Sequence, residues 1–68
     1  MTISNRKIKE RKIRKQLILD SALEVFKANG IENATMEGIA LKAGFGTATL
    51  YYYFHSKEEI FCAILLEG

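Results

Sequence analysis

Residues 35–57 read Thr35-Met-Glu-Gly-Ile-Ala-Leu-Lys-Ala-Gly44-Phe-Gly-Thr47-Ala-Thr-Leu50-Tyr-Tyr-Tyr-Phe54-His-Ser-Lys57. A short amphipathic segment, Met36 to Ala43, stops at Gly44, and after a three-residue connection a second short segment runs from Thr47 to Phe54. This is the spacing of a helix-turn-helix. At about 100° per residue, and with Leu50 pointing to the core, Phe54 falls near Leu50 while Ala48 and Tyr52 point the opposite way. Thr49, Tyr51 and Tyr53 lie on the flanks. Three consecutive tyrosines cannot all be buried on one helix face, so Tyr52 is the one expected to face outward.

Upstream of this unit, Thr35 is a suitable N-cap, its hydroxyl placed to accept a free backbone N–H of the first turn. A full capping box would have Glu or Gln three residues on, but Gly38 stands there. Inside a helix glycine costs roughly 0.8–1 kcal/mol relative to alanine. Two readings stay open: a weak second helix, or a close approach of another helix. Ile39, Ala40 and Ala43 form its buried stripe. Earlier still, Leu17, Ile18, Ala22, Val25 and Phe26 recur at spacings of three and four, which predicts a helix from about Arg11 with one face on a core. Gly30 ends it, with Ile31 supplying the apolar contact that closes such a cap. Asp20, Glu24 and Lys27 mark its exposed side, with Glu24 and Lys27 spaced as an ion pair. Residues 1–10 read as a basic flexible tail.

Downstream, Ser56-Lys57-Glu58-Glu59 is a capping box: Ser56 caps the N–H of Glu59, and Glu59 reaches back to the N–H of Ser56. The helix that follows, Ile60 to Leu66, is apolar on every side. Nothing else in these residues can cover all of it, so it expects another domain or subunit, and the chain reads as a fragment or a truncated form of a longer protein. Cys62 within it reads as a small buried hydrophobe. His55 reads as a linker residue ahead of the Ser56 cap.

Sixty-eight residues make one small domain. Apolar residues at 49%, charged residues at 26% and the absence of proline describe a globular, helix-favouring chain. No apolar run approaches the ~20 residues of a membrane span, and the basic N-terminus lacks the apolar core and cleavage site of a signal peptide; the expected location is cytoplasmic, without a membrane partner. A single cysteine and a single histidine leave no set of ligands for a structural zinc. The acids are scattered without a partner histidine or a phosphate-cradling glycine loop, which argues against an enzyme and calls for no cofactor. Charge is uneven: residues 6–15 carry seven basic side chains against Glu10 alone, a net +6, whereas residues 16–68 carry Lys27, Lys42 and Lys57 against seven acids, a net −4. Such a run is a solvated face or, beside a helix-turn-helix, a set of charges that neutralise phosphates and release counterions.

Taken together, Ile18, Ala22, Phe26, Gly30, Thr35, Ile39-Ala40, Ala43-Gly44 and the run Thr49-Leu-Tyr-Tyr-Tyr-Phe-His-Ser-Lys-Glu-Glu-Ile60 resemble the N-terminal DNA-binding domain of the TetR family of bacterial transcriptional repressors. The likeness covers about residues 11–66. It implies an all-α, three-helix homeodomain-like bundle with the start of a fourth helix, a helix-turn-helix at about 34–53, and double-stranded operator DNA as partner, with helix 47–54 in the major groove. It further implies a ligand-binding and dimerisation domain beyond these residues, so that a homodimer and a small-molecule effector belong to the full-length form. Carried over, Met36, Thr47, Ala48, Thr49 and Tyr52 match base- or groove-facing positions, and Thr35, Tyr51, Tyr53 and Lys57 match phosphate-contacting ones. The chain departs from the pattern at Gly46, where Ser or Thr is usual, leaving Thr47 as a substitute cap, and at Ala48, where glycine or proline is common. The rival reading is a small helical interaction module docking through the apolar helix 57–67.

Overall fold

No glycine or proline interrupts the chain before Gly30, and in the computed structural model, which describes the backbone of residues 2–67 and the side chains of residues 10–66, the first helix is unbroken over that length. α1 spans Thr2–Asn29, α2 Met36–Ala43, α3 Thr47–Tyr53 and α4 Lys57–Glu67. From Thr2 onward the backbone of the expected tail runs as the first turns of α1. Arg6, Lys7, Lys9 and Glu10 are good helix formers, and no glycine or proline separates residues 2–10 from the rest. At 1.5 Å per residue α1 is about 42 Å long, which accounts for the 43 Å long axis of the molecule.

Each helix sends one large, fully buried side chain to the core: Ile18 from α1, Ile39 from α2, Leu50 from α3 and Ile60 from α4. Burying a side chain of this size stabilises the fold by roughly 1.5–3 kcal/mol, so these four carry much of what joins the helices. Leu19, Ala22, Phe26, Ala34, Met36, Ala40 and Phe54 complete the core. The register of α1 differs from the expected stripe by one residue, since Leu19 is buried while Leu17 is 46% exposed. With Ala22 at the centre of the buried face, Leu19 lies about 60° away and Leu17 about 140° away. Val25 is only partly buried.

Helix ends are set by local chemistry. Gly30, with φ of 84°, closes α1 in the left-handed region that glycine occupies without penalty, and the Asn33 side chain donates to the Asn29 carbonyl at 3.0 Å. Glu24 does not pair along its own helix with Lys27; its carboxylate lies 3.2 Å from Lys42 Nζ and ties α1 to α2 at the surface. At the start of α4 the Glu59 N–H donates to Ser56 Oγ at 3.2 Å. The reciprocal bond reaches one residue further back than a capping box requires: Glu59 Oε1 accepts from the His55 N–H at 2.6 Å rather than from Ser56. That N–H, and secondarily the His55 ring 3.6 Å from the other carboxylate oxygen, holds the Glu59 carboxyl below its ordinary titration range.

Beyond Ile60, α4 leaves Phe61, Leu65 and Leu66 exposed, Leu66 at 87%. Phe61 meets the edge of Phe26 with ring centres 5.9 Å apart. Cys62 is exposed, not buried as expected, because it lies on the part of α4 that α1 does not cover.

Candidate nucleic-acid interface

The turn between α2 and α3 is made by backbone alone. Gly44 takes φ 83° and ψ 23°, its N–H donating to Leu41 O at 3.2 Å while the Phe45 N–H donates to Ala40 O at 2.9 Å. These two bonds form a Schellman motif and satisfy the last carbonyls of α2. A side chain at Gly44 would meet no neighbour, so the glycine is required by its dihedral and not by space. α3 then starts at Gly46, which is extended and makes no side-chain cap. Thr47 is the first helical residue and so does not serve as the substitute cap; the start of α3 rests on backbone bonds such as Leu50 N–H to Gly46 O at 3.1 Å.

Leu50 and Phe54 anchor α3 at 0% and 4% exposure, and the outer face then follows from the helix angle. Tyr52 is 71% exposed, Thr47 and Ala48 are exposed, Thr49 and Tyr53 are half-buried, and Tyr51 is 44% exposed. Tyr53 stands edge-on to Tyr52 with centres 5.4 Å apart, which steadies the outward ring. These side chains, all expected at an interface, are therefore on one helix with Tyr52 at its crest.

Met36 does not join them. It is 7% exposed and belongs to the core, because at the first position of α2 its side chain falls on the Ile39–Ala40 stripe. Thr35 is exposed and is the N-cap of α2, its Oγ1 accepting from the Gly38 N–H at 3.0 Å. The open question about Gly38 has a local answer: a Cβ there would lie 3.1 Å from Thr35 Oγ1, so the missing side chain makes room for the cap and not for another helix.

Lys57 is neither a free surface lysine nor idle. Its Nζ donates to Glu32 O at 3.0 Å and Ala34 O at 2.9 Å, closing the α1–α2 loop onto the start of α4 beside Thr35. The ammonium has three donors, so one remains for a further acceptor.

Two arginines of the basic run, not singled out from the sequence, lie at this face. Glu10, Arg11 and Arg14 of α1 line, with Tyr52 and Tyr53 of α3, an open cleft of about 220 Å³. The next residue of α1, Lys15, lies over the Phe54 ring at 6.0 Å from its centre. Both arginines belong to the basic run and to the helix expected from about Arg11; what the sequence did not give is that this part of α1 lies beside α3. Among the described residues no group of His, Cys, Asp or Glu is arranged to hold a metal ion, and no helix is long and apolar enough to cross a membrane.

Residues 18–64 match the family model described as bacterial regulatory proteins, tetR family. The chain is 45% identical over 56 residues to an uncharacterized HTH-type transcriptional regulator, TtgW, of Pseudomonas putida, a match covering 82% of this chain and 42% of that protein. It is 45% identical over 51 residues to the HTH-type transcriptional regulator SrpR, also of Pseudomonas putida, covering 75% of this chain and 24% of that protein. With the HTH-type transcriptional regulator UidR of Escherichia coli it shares 40% identity over 50 residues, covering 74% of this chain and 26% of that protein. The chain thus spans less than half the length of these relatives. Four helices, the glycine-closed turn, the outward α3 and these matches agree: the chain belongs to the TetR family of bacterial regulatory proteins and corresponds to its N-terminal helix-turn-helix DNA-binding domain.

Proposed function

We propose that this chain is the DNA-reading part of a TetR-type repressor, inserting α3 into the major groove of an operator. The carrying observation is the outward face of α3, where Tyr52 is 71% exposed and Thr47 and Ala48 are exposed beside it on a helix anchored by Leu50 and Phe54. A tyrosine hydroxyl and threonine hydroxyls offer donors and acceptors to base edges, and the Ala48 and threonine methyls offer contact to a thymine methyl. Thr49 reads from the flank of the same face. Thr35, Tyr51, Tyr53 and Lys57 are assigned to phosphates, which fix register without reading sequence. The reading has no catalytic step and leaves the chain an intracellular DNA-binding unit.

Homodimerisation and effector binding are assigned to a further domain of the full-length protein, packed on the exposed side of α4. The relatives' greater length and the 65% and 87% exposure of Leu65 and Leu66 support this. The same exposed leucines favour a second reading, a protein-interaction module that docks through α4 and needs no DNA. Fluorescence anisotropy against mixed duplex DNA at low salt separates the two. Binding that falls steeply with salt and strengthens on a duplex selected from random sequences supports the DNA reading; the absence of any binding at micromolar concentrations of the chain rejects it.

A further inference from the structure

Arg11 and Arg14 precede the residues matched by the family, which begin at residue 18. They are exposed, and they are three residues apart on α1, so their side chains share one face of the helix. Across that face are Tyr52 and Tyr53, and the four residues with Glu10 enclose an open cleft of about 220 Å³. Two guanidinium groups against one carboxylate leave this cleft with a net positive charge. Guanidinium presents a planar fork of donors matched to phosphate oxygens, and the Tyr53 phenol adds another donor. The cleft abuts Tyr52, the crest of the outward face of α3, so a duplex whose groove admits Tyr52 brings its sugar-phosphate rim to these arginines.

We infer that Arg11 and Arg14, with Tyr53, form a seat for one backbone phosphate of the duplex that α3 reads, making α1 part of the DNA interface. This rests on the DNA-reading role of α3 proposed above. The seat is separate from Lys57 and Thr35, which are gathered at the α1–α2 loop. α1 is therefore more than a core helix: through Arg11 and Arg14 it holds one strand at one point, fixing how deeply and at what angle α3 enters.

The test is a salt titration by fluorescence anisotropy of the 68-residue chain, as wild type, R11A/R14A and R11K/R14K, on a duplex selected from random sequences and on a scrambled duplex. One phosphate contact contributes about 0.9 to the slope of log K against log salt. R11A/R14A is expected to lower the slope by about one and to weaken both duplexes by roughly tenfold near 0.1 M salt, with an unchanged helical circular dichroism spectrum and melting temperature. R11K/R14K is expected to retain the slope. An R11A/R14A chain with the wild-type slope and affinity overturns the inference while leaving the reading of α3 intact, and so does a loss confined to the selected duplex. If the wild-type chain binds neither duplex, the reading of α3 fails and the inference falls with it.

Discussion

The Nζ of Lys57 holds the carbonyl of Ala34 at 2.9 Å across twenty-three residues of chain. With its second bond to Glu32 O, this lysine locks the α1–α2 loop, and hence the start of α2, to α4. Hydrogen bonds from a charged donor contribute about 1.5–3 kcal/mol when well shielded, but one of the two here is exposed. Lys57→Met, which keeps the apolar stem, should therefore lower stability to urea by about 1–2 kcal/mol. It should also weaken binding to all duplexes about equally and reduce the salt slope by about one. A variant as stable as wild type would show that the two carbonyl bonds contribute nothing.

Gly38→Ala sets two effects against each other. Alanine gains up to about 1 kcal/mol in helix propensity, while its Cβ crowds the Thr35 hydroxyl at 3.1 Å and so disturbs a cap of about the same value. The single substitution should be close to neutral. In a Thr35→Ala background, where no hydroxyl is crowded, the same change should stabilise by about 0.5–1 kcal/mol. Additive behaviour in the four-member cycle, followed by thermal unfolding, would remove this account of the glycine.

Tyr52 should separate reading from folding. At 71% exposure, Tyr52→Ala should change stability by less than about 0.5 kcal/mol. Its effect on binding should instead be a relaxed preference at particular base pairs, by about 1–3 kcal/mol where a good contact is lost. Reselecting duplexes with the variant checks this, and an unchanged selected sequence would argue against a base-reading role.

The carboxyl of Glu59 gives the start of α4 a defined pH dependence. The His55 N–H favours its charged form and depresses its folded-state pKa. A depressed carboxylate stabilises the fold above its unfolded pKa and loses that contribution as pH falls through the lower, folded value. The loss therefore belongs to the acid range below ordinary glutamate titration, and neutral pH leaves the bond intact. An NMR titration should show the Glu59 carboxyl and the His55 amide moving together with a midpoint below the ordinary glutamate range, and Glu59→Gln should abolish the coupled movement.

Most of the architecture was legible because it rests on local rules: Gly30 and Gly44 at positive φ, Thr35 and Ser56 as caps, and the angular position of Leu50 against Tyr52. What escaped the sequence depended on tertiary proximity. Glu24 chose Lys42 over Lys27 because α2 packs within reach, and Met36 turned inward because its position falls on the buried stripe of α2. Cys62 is exposed because a helix apolar on all sides gives no clue to which side is covered. The same limit hid the place of Arg11 and Arg14: both lie on the expected helix, but that they line one cleft with Tyr53 follows only from how α1 and α3 sit together.

The attachment of α3 has a consequence for how such a domain changes its target. Leu50 and Phe54 hold the helix from one side and the α2–α3 turn is closed by main-chain bonds, so Thr47, Ala48 and Tyr52 bear no structural duty. If α3 reads the duplex as proposed, vocabulary and grammar are separate in this domain: substitutions at those three positions should rewrite which duplex is chosen while the fold stays unaltered. A library randomised only there should be populated overwhelmingly by folded proteins, and this small domain is accordingly a ready scaffold for evolving new operator preferences.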